Sequence, residues 1–153
     1  VVGVPDVPGT AARIFTVVAK ADVNIDMIVQ NIAASKTHLS DISFTLPADD
    51  FKKAVNALET AKADIGFESL QLDEKIGKLS IVGSGMKTHS GVSATLFGAL
   101  AKAGVNIEMI STSEIRISVV TNISQVDEAA KVVHTAFGLD GEAEAVVYAG
   151  SGK

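Results

Sequence analysis

The residues that could do chemistry in this chain are a glycine and a short polar segment, each present twice. Gly9 and Gly91 stand where apolar helices are predicted to begin, and the free N–H groups and dipole of a helix start favour a carboxylate. Asn24-Ile25-Asp26 and Asn106-Ile107-Glu108 open later strands and offer oxygen acceptors to an ammonium group. Together they predict a site for a zwitterion, meaning a free amino acid. Ordinary turns and strand entrances account for the same residues equally well.

Nucleotide-binding patterns are incomplete. Gly83-Ser84-Gly85 follows a predicted strand, but the next glycine, Gly91, comes too late for the dinucleotide pattern G-x-G-x-x-G. Lys87-Thr88 follows Met86, where a phosphate-binding loop requires glycine before the lysine. We therefore interpret this segment as a strand-to-helix turn.

Metal and catalytic sites find no support in the residue spacing. The chain has no cysteine, and its three histidines fall in different predicted elements, at His38, His89 and His134. Only His89, in the glycine-rich loop, is placed to touch a ligand, and a solvated turn residue is the equal alternative. Asp26 and Glu108 belong to different copies of a repeat, so they do not form an acid–base pair. We expect no catalytic residue, no metal and no cofactor in this chain.

Composition narrows the class of protein further. The 153 residues are 47% hydrophobic with a formal net charge of −5, enough apolar content for one ordinary domain or two small ones. No cluster of lysine and arginine is present, which argues against a nucleic-acid partner. No apolar run is long enough to span a bilayer, and no signal peptide is visible. We expect a soluble, cytoplasmic protein without a membrane partner.

An internal repeat organises the whole chain. A shift of 82 residues places Gly9–Ile28 on Gly91–Ile110 without a gap, and eleven of the twenty positions are identical. Further along, Asp41–Thr45 matches Arg116–Val120 at an offset of 75, so the first copy carries about seven extra residues near Ala33–Ser40. The chain is two copies of one module.

Each copy alternates between strand and helix periodicities. Apolar residues at helical spacing predict a first helix in each module, with Ile14, Val17, Val18 and Ala21 matching Leu96, Ala99, Leu100 and Ala103. Second helices follow from Phe51, Val55 and Leu58, and from Val126, Ala129, Ala130, Val133 and Phe137. Strands are predicted from short apolar or alternating runs at 1–4, 24–32, 42–46 and 67–72, and at 79–82, 106–111, 115–119 and 144–148.

The resulting order in each module is β-α-β-β-α-β. This is the ferredoxin-like arrangement, an α+β fold in which two helices cover one face of a four-stranded antiparallel sheet. We predict two such modules in tandem, over residues 1–73 and 78–150, each a two-layer sandwich. An exchange of the terminal strands 70–72 and 146–148 between the sheets is an open alternative.

The loop and strand motifs make the sequence recognisable. Gly3–Gly9 with Asn24–Asn31 resembles the first ACT domain of the aspartate kinase regulatory region, and Val82–Val92 with Asn106–Val119 resembles the second. Within the latter, Ser-Thr-Ser-Glu-Ile-Arg-Ile-Ser is long and specific, and the closing segment Glu144–Gly150 also fits. The resemblance covers essentially the whole chain.

This resemblance implies a regulatory function. In aspartate kinases a separate kinase domain uses ATP and magnesium to phosphorylate aspartate, and threonine, lysine or both inhibit it by binding the ACT pair. No kinase domain fits into this length, so we expect the chain to be inactive alone. It is either a small regulatory subunit that joins a catalytic subunit or an excised regulatory fragment, acting in lysine, threonine and methionine biosynthesis.

The family also implies two effector pockets at ACT–ACT junctions between chains. One would use Asp6, Gly9, Thr10, Ala11 and Gln30, closed by Asn106 and Ile107. The other would use Met86, His89, Val92 and Ser93, closed by Asn24, Ile25 and Asp26, with Ser113 and Glu114 nearby. We expect threonine in the pocket of Asp6 and Gln30. Ser90 stands where members of the family usually carry proline, so the second loop should be less rigid.

Assembly follows from the strand order of such a module, in which the second strand is an edge. The edges at 25–29 and 107–110 are apolar and carry no lysine or proline, so we expect a homodimer formed through them. The alternative functions are an ACT-type amino-acid-binding or dimerisation module that regulates another enzyme or a transcription factor, and a small enzyme on this scaffold.

Overall fold

The computed structural model describes residues 1–32, 37–87 and 89–141, and two similar modules follow one another along this chain. The first contains β1 (Val4–Pro5), α1 (Thr10–Lys20), β2 (Ile28–Gln30), β3 (Leu39–Ser40), β4 (Ile42–Phe44), α2 (Phe51–Thr60) and α3 (Lys62–Ile65). The second contains β5 (Ile76–Val82), α4 (Val92–Lys102), β6 (Met109–Thr112), β7 (Arg116–Asn122) and α5 (Val126–Ala136). Short 3-10 turns lie at Ala48–Asp50, Ser84–Lys87 and Ile123–Gln125. The predicted strand at 144–148, and with it the end of the second module, lies outside the described residues.

The strands of the first module pair antiparallel and leave β2 at an edge, as predicted. β1 pairs antiparallel with β3 and β2 pairs antiparallel with β4, while Val2 bridges to Ser69 on the other side. The backbone N–H of Ile42 donates to the carbonyl of Val1 at 2.9 Å, which links the β1 and β4 segments. Across the sheet, residues near 69 therefore lie beside residues 1–5, residues 1–5 lie beside 39–44, and 39–44 lie beside β2. A strand was predicted at 67–72. Among the described residues, its pairing consists of this one bridge at Ser69.

The second module repeats the pattern with longer strands. β7 lies between β5 and β6 and is antiparallel to both, with Val119 opposite Leu79 and Ile110. β5 begins at Ile76, before the predicted boundary at residue 78. The predicted α+β fold of two ferredoxin-like modules is confirmed.

The apolar faces of the helices are buried in two separate hydrophobic cores. Ile14 and Val18 of α1 are buried in the first module, and the repeat-related Leu96 and Leu100 of α4 are buried in the second. The second helices contribute Ala54 and Leu58 in one module and Ala129 and Val133 in the other. Each core contains residues of its own module, because each sheet buries one face under the helices of that module.

The first helix ends in the same way in both modules. The N–H of Val23 donates to the carbonyl of Val18, and that of Val105 donates to the carbonyl of Leu100, as in a Schellman motif. The residue before each is left-handed, with φ of 56° at Asp22 and 69° at Gly104. Aspartate tolerates this conformation better than most side chains, and glycine tolerates it best.

This geometry predicts opposite effects for the same substitution at two glycines of one helix. Gly104→Ala should lower the free energy of unfolding by about 1 kcal/mol, because alanine is strained at positive φ. Gly98→Ala, inside α4 with open space around the new methyl group, should raise it by about 0.5–1 kcal/mol. Chemical denaturation of both variants measures the two changes. Equal shifts in one direction would contradict the assigned helix end.

The longer β2–β3 connection of the first module is anchored by two polar side chains. The backbone N–H of Asp41 donates to Oδ1 of Asn31 at 2.6 Å, and Nδ2 of Asn31 donates to the Asp41 carboxylate at 3.3 Å. The other carboxylate oxygen accepts from the N–H of Gly3 at 2.9 Å. The residue that follows β2 is therefore held beside Asp41, which lies between β3 and β4 and also binds the backbone of Gly3.

Candidate functional site

The loops before the first helices share one backbone geometry. Gly9 and Gly91 are the N-cap residues of α1 and α4, with φ of 94° and 101°. An added Cβ would meet nothing within 4 Å at either position, so glycine is required by the conformation rather than by lack of space. Among the described residues, no side chain caps either helix. Backbone N–H groups at a helix start that lacks a side-chain cap can donate to a ligand.

A cleft of about 330 Å³ opens at this position in the second module. It lies between the loop before α4 and the connection from β6 to β7. Its lining residues are Met86, His89, Ser90, Gly91, Val92, Ser93, Thr112, Ser113, Glu114 and Ile117. The structure thus brings together the four residues that the resemblance implies for the second pocket, Met86, His89, Val92 and Ser93, and the two implied nearby, Ser113 and Glu114.

The lining groups fall into chemically distinct sets. The start of α4 and the hydroxyl of Ser93 can donate hydrogen bonds to a carboxylate. The Glu114 carboxylate can accept from an ammonium group. Met86, Val92 and Ile117 supply apolar surface for an aliphatic chain. The arrangement can therefore hold a small molecule that carries both charges on a short carbon frame.

Of the remaining lining residues, Gly91 was predicted as a carboxylate-binding helix start, whereas Ser90, Thr112 and Ile117 were absent from the predicted set. Thr112 is the repeat partner of Gln30 at the offset of 82, so the repeat itself pointed to it. Ile117 belongs to the continuously buried stretch of β7 and also lines the cleft. Proximity of this kind depends on strand pairing, which a local pattern does not reveal.

The predicted residues of the first pocket lie at the matching end of the first module. Asp6 and Ala11 are exposed, and Gln30 is exposed at the end of β2. Nε2 of Gln30 donates to Oγ of Ser40 at 3.3 Å. Thr10 is buried; its hydroxyl donates to the carbonyl of Val7 at 3.1 Å and accepts from Arg13 at 3.2 Å. Thr10 therefore holds the loop in place, whereas Asp6 and Gln30 remain accessible.

The strands predicted to close the pockets contact their own modules. Ile25 and Ile107 pack against the first and second core. The carbonyl of Asn106 accepts from Oγ1 of Thr121 at 2.6 Å, and the carboxylate of Asp26 forms an ion pair with Nζ of Lys78. The lining of the second-module cleft includes none of Asn24, Ile25 and Asp26. Closure of the pockets by a neighbouring chain stays a prediction.

The described residues hold no group of three His, Asp or Glu side chains that could bind a metal ion. Over the same part of the chain, every helix is too short or too polar to cross a bilayer.

Two repeated βαββ-based modules, each with a glycine-capped first helix beside the end of its sheet, define an ACT pair. Residues 1–61 and 79–137 match the ACT domain, and the chain belongs to the ACT domain family. Within that family, the chain is a tandem ACT pair of the aspartate kinase regulatory region, because its similar proteins are aspartokinases.

Known aspartokinases match the chain from end to end. It is 53% identical to the aspartokinase of Mycolicibacterium smegmatis and 45% identical to that of Corynebacterium glutamicum, over all 153 residues. The chain spans 36% of the length of each of these relatives.

Among solved structures, the aspartokinase alpha and beta subunits superpose with a TM-score of 0.81 and 43% identity, over 89% of this chain and 88% of that one. The ligand-free regulatory subunit of aspartate kinase from Thermus thermophilus gives a TM-score of 0.80 and 40% identity over the same shares. The resemblance to the aspartate kinase regulatory region is confirmed.

Proposed function

We propose that this chain is the regulatory part of an aspartate kinase and that it binds threonine, lysine or both. Binding at the ACT sites transmits feedback inhibition of aspartate phosphorylation in lysine, threonine and methionine biosynthesis. The observation that carries the proposal is the second-module cleft, whose lining suits a free amino acid, in a chain similar to aspartokinases over its whole length.

The chemistry of the cleft supports an amino acid over other small molecules. A carboxylate meets the N–H groups at the start of α4, where the helix dipole stabilises a negative charge. An ammonium group meets the carboxylate of Glu114 on the opposite lining segment. A ligand that carries both a carboxylate and an ammonium group matches both sides of the cleft.

The catalytic partner is proposed to be an aspartate kinase catalytic subunit or domain. One of the similar structures is described as aspartokinase alpha and beta subunits, which supports a chain of this size acting beside a second polypeptide. ATP and magnesium belong to that partner, and this chain uses no cofactor of its own. Within the proposed assembly, the present chain senses the end product and the partner performs the reaction.

We further propose that two copies associate through β2 and β6. Ile28 of β2 and Ile110 of β6 are 50% and 44% exposed, a large apolar surface for strand edges. Among the described residues, β2 pairs with β4 alone and β6 with β7 alone, so each strand has one backbone edge open. Joining these edges between two chains would bury both.

Calorimetric titration of the isolated chain with each of the twenty amino acids tests the proposal. We expect threonine or lysine to bind, and Glu114→Gln to weaken binding of the amino acid that fills the cleft about ten- to a hundredfold, the effect of one charged hydrogen bond. Glu128→Gln, an equal charge change on the exposed first turn of α5, should leave affinity unchanged.

Reconstitution with an aspartate kinase catalytic subunit completes the test. The added chain should confer inhibition by the amino acid that binds it, whereas the catalytic subunit without it should be insensitive. A complex indifferent to both threonine and lysine would overturn the proposal. Binding of a different amino acid alone would favour a module that regulates another enzyme or a transcription factor.

A further inference from the structure

The two modules meet on the sheet faces that their helices leave uncovered. Met27 and Val120 are 5% and 1% exposed, yet neither belongs to a helix-side core. Val120 alternates with Val119, which faces the second core, so Val120 points to the opposite face. Cα atoms of β2 and β6 approach within 8 Å. The burial of these two side chains places a contact between modules beside the segment that contains Asp26.

An ion pair crosses this contact. Nζ of Lys78, on β5, pairs with the carboxylate of Asp26, just before β2. Lys78 lies opposite Val120 in the strand register and so shares its face of the sheet. The two side chains remain 33% and 47% exposed, so water and a solute can reach both. A partly exposed pair of this kind is weak enough for another cation to displace.

Asp26 is also predicted to close the second-module cleft from a neighbouring chain, where its carboxylate would join that of Glu114 around the ammonium group of an amino acid. Lys78 presents the same chemical group, an alkylammonium, to the same carboxylate. We propose that Lys78 is an internal competitor: it occupies Asp26 in the amino-acid-free protein, and an arriving ammonium group must displace it. This inference rests on the proposed function, since it specifies how one effector site is regulated.

Displacement has a consequence beyond affinity. Asp26 belongs to the first module and Lys78 to the second, so losing their ion pair removes a polar link between the modules. Amino-acid binding therefore weakens the contact between the modules, and that contact lowers the affinity for the amino acid by the same factor. Lys78 therefore sets the effector concentration at which the site fills.

The test is the affinity of the Lys78→Met chain for threonine and for lysine, measured by calorimetry beside the wild type. We expect one of the two amino acids to bind about two- to fivefold more tightly, the range that an exposed ion pair contributes. Lys131→Met, the same charge change on the exposed side of α5, should leave both affinities unchanged. In an Asp26→Asn background, Lys78→Met should produce no gain.

A second measurement follows Lys78 directly. The ¹⁵N resonance of its ammonium group should shift on Asp26→Asn without ligand, and it should shift in the same direction when the wild type is saturated with the binding amino acid. Equal affinities of wild type and Lys78→Met, or a resonance that the amino acid leaves unmoved, would overturn the competition while leaving the proposed function intact. If neither threonine nor lysine binds the wild type or the variant, both the competition by Lys78 and the proposed function are overturned.

Discussion

Gln30→Ala is expected to lower the affinity for threonine about ten- to a hundredfold. The side chain lies exposed at the end of β2, in the module where we expect threonine to bind. A hydrogen bond to a charged ligand contributes roughly 1.5–3 kcal/mol, which corresponds to this loss of affinity. Calorimetric titration with threonine measures it.

The fold should tolerate this change. The amide of Gln30 donates to the hydroxyl of Ser40, and losing that bond should cost about 1 kcal/mol of unfolding free energy at most. Gln71→Ala, at another exposed glutamine, is the matched control and should leave threonine affinity at the wild-type value. Ser40→Ala keeps the Gln30 side chain and should retain most of the affinity. Wild-type affinity in Gln30→Ala would remove Gln30 from the site.

Ile110→Lys is expected to convert the proposed dimer into a monomer. The isoleucine lies on the open edge of β6, and lysine on an edge strand is a common means by which proteins prevent edge pairing. Because a two-fold interface contains the substituted position twice, we expect the dimer to weaken about a hundredfold or more. Sedimentation over a dilution series, with and without threonine, measures the equilibrium.

The matched control is Ile123→Lys, at an isoleucine that is 59% exposed but lies in a 3-10 turn rather than on an edge strand. It should leave the dimer intact. If the sites lie between chains, Ile110→Lys should also reduce threonine affinity, since binding and association are linked by the same factor. A wild-type chain that remains monomeric when saturated with threonine would contradict the interface sites, even with amino-acid binding retained.

Local pattern accounts for the features of the fold that were predicted correctly. The stripe around Ile14 and its copy around Leu96 produced helices with those residues buried, because apolar residues at helical spacing form one face, which becomes the face that packs on the core. The offset of 82 also placed Gly9 and Gly91 at equivalent helix starts, where both adopt positive φ. Because the two copies are similar in sequence, a feature of one copy can be predicted at the equivalent position of the other without knowing any tertiary contact.

The sequence by itself determined the module order and the glycine-capped loops, and the family resemblance supplied six of the ten residues that line the second-module cleft. Only the tertiary structure placed Thr112 and Ile117 in that cleft and paired Asp26 with Lys78. The position of Thr112 and Ile117 depends on the register of β6 against β7. The pairing of Asp26 with Lys78 depends on two modules packing face to face. Both join residues far apart in the chain, and such contacts are selected by the packing of whole surfaces rather than by any local preference.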